Sequence, residues 1–187
     1  MTIAQHFRTN GIAIIEHALD DGDVRHMERA FAPGAGRRHG GMAPEVVAWL
    51  AAHPVLTRLA AELSGANRDG ANRDGANLDG ASSRLVRVIA FDKSPAANWF
   101  VPWHQDRAIA VAARADVPGF ARWTVKDGAL HVEPPVAILE AMVTLRIHVD
   151  DCTESDGPLE VVRGSHAAGR LDKAAIDRVV AAGAASL

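Results

Sequence analysis

A single cysteine, Cys152, stands in 187 residues. No internal disulfide framework can be drawn from it, and the composition fits a reducing cytoplasm. A basic excess is missing too: the formal net charge of −3 leaves little to neutralise phosphates, which argues against a nucleic-acid partner. No run approaches the ~20 apolar residues of a membrane span. The opening "MTIAQHFRTNG" has no apolar signal-peptide region. These absences predict a soluble, cytoplasmic protein with no membrane partner. What is present is ordinary for a globular chain, 48% hydrophobic and 23% charged. The length suits one domain with a real core and is short for two.

Three regions follow one another. Residues 1–64 read as mainly helical. An apolar run, "GIAIIEHA" at 11–18, reads as a strand before "LDDGDVRHMERAF", where Asp20 caps a helix and Val24, Met27 and Phe31 line one face. Leu19 and Val24 occupy the two positions of a hydrophobic staple. Residues 34–41 are loop. "PEVVAWLAAHPVLTRLAAELSG" reads as two short helices parted at His53-Pro54, with Leu56, Leu59 and Leu63 as the stripe of the second. Residues 65–83 hold a five-residue period, "GANRDGANRDGANLDG". In a pentapeptide solenoid its central positions would bury Arg68 and Arg73, so a polar loop is the better reading.

From residue 84 the pattern becomes β-rich. "RLVRVIAFD", "AMVTLRIHVDD" and "GPLEVVRGS" read as strands, and residues 116–135 as loop with short extended segments. The tail "LDKAAIDRVVAAGAA" reads as a helix capped by Asp172. The expected class is α+β, with helices outside a central antiparallel sheet or barrel.

Two His-x-Asp triplets occur, His104-Gln105-Asp106 and His148-Val149-Asp150. With 9 histidines, chance alone supplies about 0.7 such triplets. In an extended segment either pair puts an imidazole and a carboxylate on one face. Spacing does not separate them, but context does. Trp99, Phe100 and Trp103 flank the first pair, as aromatics flank many ligand clefts and many cores. His148 belongs to the alternating polar face Thr144, Arg146, His148 and Asp150, which suits either solvent or a pocket lining. His166 follows a turn. His6, His17, His26, His39, His53 and His131 are isolated and read as surface or ordinary structural histidines.

"FDKSPAANWFVPWHQDRAIAV" followed by "MVTLRIHVDDCTESDGPLEVVRGSHAAGRL" resembles the phytanoyl-CoA dioxygenase-like family of iron(II) and 2-oxoglutarate-dependent oxygenases, over residues 85–171. The resemblance implies a double-stranded β-helix, a cupin-like jelly roll with helices packed on it. It assigns His104 and Asp106 as two legs of a 2-His-1-carboxylate triad, a donor set suited to iron(II) with open positions for 2-oxoglutarate and oxygen. Gln105, Asn98 and Lys93 become candidates to touch 2-oxoglutarate, with Thr144 and Arg146 lining the same interior. Trp99 and Trp103 would border the pocket for a small organic substrate. The activity this implies for the complete form is hydroxylation of that substrate; for this chain alone, with two ligands and no third, weak or no iron(II) binding is expected.

One departure bears on these expectations. The family's second metal histidine and its 2-oxoglutarate-binding arginine follow the G-S-H turn and the next helix. "DRVVAAGAASL" has no histidine, and its arginine, Arg178, lies in helical sequence. A C-terminally incomplete barrel is therefore expected within one domain, its open edge covered by self-association or a partner chain. The alternative is a truncated, non-catalytic relative serving as a ligand-binding or assembly module.

Overall fold

The computed structural model describes residues 1–31, 39–40, 43–71, 84–91, 93, 99–126, 128–183 and 185–186. In chain order the elements are α1 (Ile3–Asn10), α2 (Asp21–Ala30), β1 (His39–Gly40), α3 (Pro44–Ala52), α4 (Pro54–Ala71), β2 (Ile89–Ala90) and β3 (Ile109–Val111). There follow β4 (Ala121–Lys126), β5 (Ala129–Glu133), α5 (Val136–Glu140), β6 (Glu160–Val161), α6 (Lys173–Gly183) and β7 (Ala185–Ser186). The α+β expectation is borne out. The chain divides into two compact units, each drawn from separate stretches of sequence.

The first unit comprises Met1–Arg38, Phe91–Gln105 and Arg146–Leu187. Its helices start where side chains can answer their orphan N–H groups. Thr2 and Gln5 form a reciprocal capping box at α1, and Asp20 and Asp23 do the same at α2. Asp172 accepts the Ala175 N–H at 2.8 Å and opens α6. Met27 of α2 is 1% exposed and anchors the local packing. The strand expected at 11–18 does not form. No ladder includes those residues, and the chain turns at His17, whose φ is +52°. β6 and β7 form a short antiparallel ladder.

The second unit comprises His39–Ala90 and Asp106–Leu145. α3 starts with Pro44 in its first turn, where a missing N–H costs nothing, and His53 before Pro54 leaves helical geometry with ψ at 123°. Val46 and Leu50 of α3 and Leu56, Leu59 and Leu63 of α4 are buried, the stripe expected from their spacing. α4 runs on through Ala71, across the first repeat unit and into the second, so residues 65–71 are helix rather than the expected loop; residues 72–83, the rest of that loop, lie outside the described residues. Most of the expected loop at 34–41 lies outside them as well, apart from β1, which pairs antiparallel with β2.

Beside the helices lies a three-stranded antiparallel sheet in the order β3-β5-β4. Ile109 pairs with Val132, and Val111 and Val125 flank Leu130, so these residues share one apolar face. Val132 is fully buried. β4 and β5 occupy the stretch 116–135, expected as loop with short extended segments, and β3 precedes it. Conversely, only Ile89–Ala90 of the strand expected near 85–91 is paired, and only Glu160–Val161 of the one after the Gly157-Pro158 turn. Residues 142–148 carry no assigned ladder. Strand propensity without a partner leaves extended chain rather than sheet. The ladders among the described residues do not draw a jelly-roll barrel.

Candidate metal centre

The chain bends at Trp103 and carries no ladder from there to residue 108, and over residues 102–109 its exposure alternates strictly. Trp103, Gln105, Arg107 and Ile109 are half-buried, while Pro102, His104, Asp106 and Ala108 are exposed. His104 and Asp106 are thus both exposed, two positions apart in the chain, with half-buried Gln105 between them. His104 Nδ1 lies 2.7 Å from the Pro102 carbonyl oxygen. A carbonyl only accepts, so Nδ1 carries the proton, and in the neutral ring the lone pair belongs to Nε2. Metal-ligating histidines commonly use this arrangement, one ring nitrogen anchored to backbone and the other presented outward. Between them, Gln105 turns the other way. Its Nε2 donates to Gly169 O at 2.8 Å and its Oε1 accepts from Leu171 N–H at 2.9 Å.

The other expected site residues are distributed. Lys93 Nζ donates to Gly157 O at 3.2 Å and lies 5.1 Å from the centre of the Trp99 ring. Trp99 in turn stacks against Phe91 at 6.4 Å. Asn98 falls outside the described residues. Thr144, Arg146, His148 and Asp150 are all exposed, alternating with half-buried Val143, Leu145, Ile147 and Val149. Two surface hollows of about 640 Å³ and 380 Å³ lie in the first unit, the former beside His17 and Asp20 and the latter beside His6 and Arg163. Neither is lined by Trp99 or Trp103. Among the described residues, no three His, Cys, Asp or Glu side chains are gathered for a metal.

His166 has a different engagement. Its Nε2 donates to Arg8 O at 3.0 Å, in the last turn of α1, and Gly164 N–H donates to Asn10 O at 2.8 Å. The G-S-H turn thus closes the C-terminal end of a helix near the start of the chain. Sequence reading also passed over a pair in the second unit, a buried histidine and a half-buried arginine. His131, 3% exposed at the centre of β5, meets Arg87 Nη1 through its Nε2 at 2.7 Å and donates from Nδ1 to Ala129 O at 2.8 Å. No spacing rule links residues 87 and 131; only the alternation within "ALHVE" hints that His131 shares the face of Glu133.

Compared with known protein families, residues 7–179 match the phytanoyl-CoA dioxygenase (PhyH) model. The chain belongs to the phytanoyl-CoA dioxygenase family. The match takes in the N-terminal helices as well as the W-H-Q-D and G-S-H blocks. No curated protein and no solved structure matches the chain. Members of the phytanoyl-CoA dioxygenase family generally use iron(II) and 2-oxoglutarate. An imidazole and a carboxylate, the side chains of His104 and Asp106, are donors of the type that iron(II) takes. No single helix among the described residues is long and apolar enough to cross a membrane.

Proposed function

We propose that this chain acts as an iron(II)- and 2-oxoglutarate-dependent dioxygenase that hydroxylates a small organic substrate, with His104 and Asp106 as two of the metal's protein ligands. The observation that carries the reading is the segment 102–108, inside the family match, where both residues of the His-x-Asp motif are exposed and Gln105 between them is half-buried. The contact of His104 Nδ1 with the Pro102 carbonyl supports it by fixing the ring's tautomer and orientation. When bound, iron(II) with 2-oxoglutarate would activate dioxygen, the oxidant for C–H hydroxylation, one oxygen atom going to succinate and one to the substrate, and the protein's part is to hold and orient the group. His104 fixes one coordination direction through its backbone anchor, and Asp106 brings the negative charge that favours a divalent ion. Trp99 and Trp103 offer apolar surface close to the motif for the substrate's carbon skeleton.

The test is iron-dependent conversion of 2-oxoglutarate to succinate by the purified chain. His104→Ala and Asp106→Ala should each lower the rate at least about a hundredfold, since each removes a metal donor. Succinate formation that survives both substitutions would overturn the assignment. Retained binding of a carboxylate ligand with no turnover in the parent chain would instead favour a non-catalytic, ligand-binding module.

A further inference from the structure

Gln105 sits between the two proposed ligands, and its side-chain amide is engaged by backbone. Its amide spans two backbone sites of one distant stretch, Gly169 O at 2.8 Å and Leu171 N–H at 2.9 Å. The partners fix the orientation of the amide, because a carbonyl can only accept and a peptide N–H can only donate. Oxygen of one residue and N–H of the residue two further on are the pair a neighbouring strand would use. Gln105 therefore acts as a one-residue strand, reading backbone and indifferent to side chains. The stretch it holds is itself built for the contact. Gly169 has φ 65° and ψ −151°, a conformation essentially confined to glycine, which turns its carbonyl toward the amide. Asp172, the next residue after Leu171, caps α6, so the held stretch is continuous with a helix.

We propose that Gln105 is a positioning residue, a backbone clamp that fixes which face His104 and Asp106 present. The inference rests on the reading that those two side chains hold a metal. The logic is the period of an extended chain. Side chains of residues 104, 105 and 106 alternate, so pinning the middle one inward sends both neighbours outward together. Trp103 and Ile109 favour the same register by their half-buried apolar bodies. A hydrophobic preference is non-directional; the two hydrogen bonds of Gln105 are what set its rotation. They act one residue from each ligand.

Two substitutions test the clamp from its two ends. Gln105→Leu keeps the volume and removes both hydrogen bonds. Gly169→Ala leaves the motif untouched and makes the backbone conformation of the acceptor unfavourable. In nitrogen-15 spectra at a pH where the imidazole is neutral, the parent chain should show His104 in the Nδ1–H tautomer. Either variant should show a mixture of tautomers and a Leu171 amide that exchanges about tenfold faster or more. Cobalt(II), used as the probe, should bind each variant about ten- to a hundredfold more weakly than the parent, the usual effect of losing an outer-shell support. An unchanged Leu171 exchange rate in Gln105→Leu would overturn the clamp. Faster exchange with an unchanged His104 tautomer would reduce it to an anchor for residues 169–171 and overturn the positioning role. If the parent chain bound no cobalt(II), the metal reading would fall, while tautomer and exchange would still decide the clamp.

Discussion

At the scale of single residues, two small features carry more than their composition suggests. Gly11 ends α1 in left-handed geometry with φ 73°, and an added Cβ would overlap the His166 imidazole. Both effects act together, so Gly11→Ala should cost about 2 kcal/mol or more in urea unfolding. Replacing His166 with alanine in the same background should relieve the overlap but leave the cost of the left-handed backbone. Asp156 is the second case. Its carboxylate accepts the Thr153 hydroxyl at 2.6 Å and the Thr153 N–H at 2.8 Å. The hydroxyl contact, then the backbone one, holds its pKa below the ordinary 3.8, outweighing slight burial. A carboxyl depressed on folding contributes stability above its unfolded pKa, and that contribution fades as pH falls through the folded value. The turn at 153–157 should therefore keep its geometry into more acidic solution than an ordinary carboxylate would allow. Thr153→Val, which removes the hydroxyl and keeps the N–H, should move the carbon-13 titration midpoint of Asp156 upward toward 3.8.

At the scale of elements, β5 gains definition from a polar pair as well as from Val132. With Nδ1 donating to Ala129 O, the Nε2 of His131 accepts from Arg87, and the two contacts fix the orientation of the ring. Arg87→Met leaves that nitrogen unanswered in a buried site and should cost about 1–3 kcal/mol. His131→Leu added to it removes the orphan. A double-mutant cycle by denaturant unfolding should therefore show coupling of about 1 kcal/mol or more, and additive losses would mean the pair contributes nothing jointly. This pair also marks what the sequence could not disclose. Helix boundaries were legible because their causes are local: Asp20 and Asp172 cap three residues ahead, and Pro54 acts on His53 next to it. Strands were not, because a ladder needs a partner that spacing does not name. Residues 11–18 and 142–148 have strand composition and no ladder, whereas "ARWTVK" and "ALHVE" found each other across a hairpin at Gly128, φ 76°. The site divides the same way. The His-x-Asp spacing and its alternation were readable from two residues, but the partners of Gln105 lie 64 and 66 positions away.

For the whole molecule, the proposed metal centre has a thermodynamic signature that does not require the substrate to be known. A ligand that binds only the folded chain stabilises it by mass action, about 2.7 kcal/mol at a hundred times its dissociation constant. For a chain of this length each kcal/mol raises the unfolding midpoint by roughly 2–4 °C. Cobalt(II) with 2-oxoglutarate at saturation should thus raise it by about 5–10 °C, and a chelator should reverse the rise. The nine histidines make a bare metal effect ambiguous, since unfolded histidines bind metal as well and would pull the midpoint down. The discriminating comparison is between variants. A shift due to His104 and Asp106 disappears in both His104→Ala and Asp106→Ala, and 2-oxoglutarate adds to it only when the metal is present. A shift that persists in both variants belongs to other donors, and the outward face of residues 102–108 would then have to be explained without a metal.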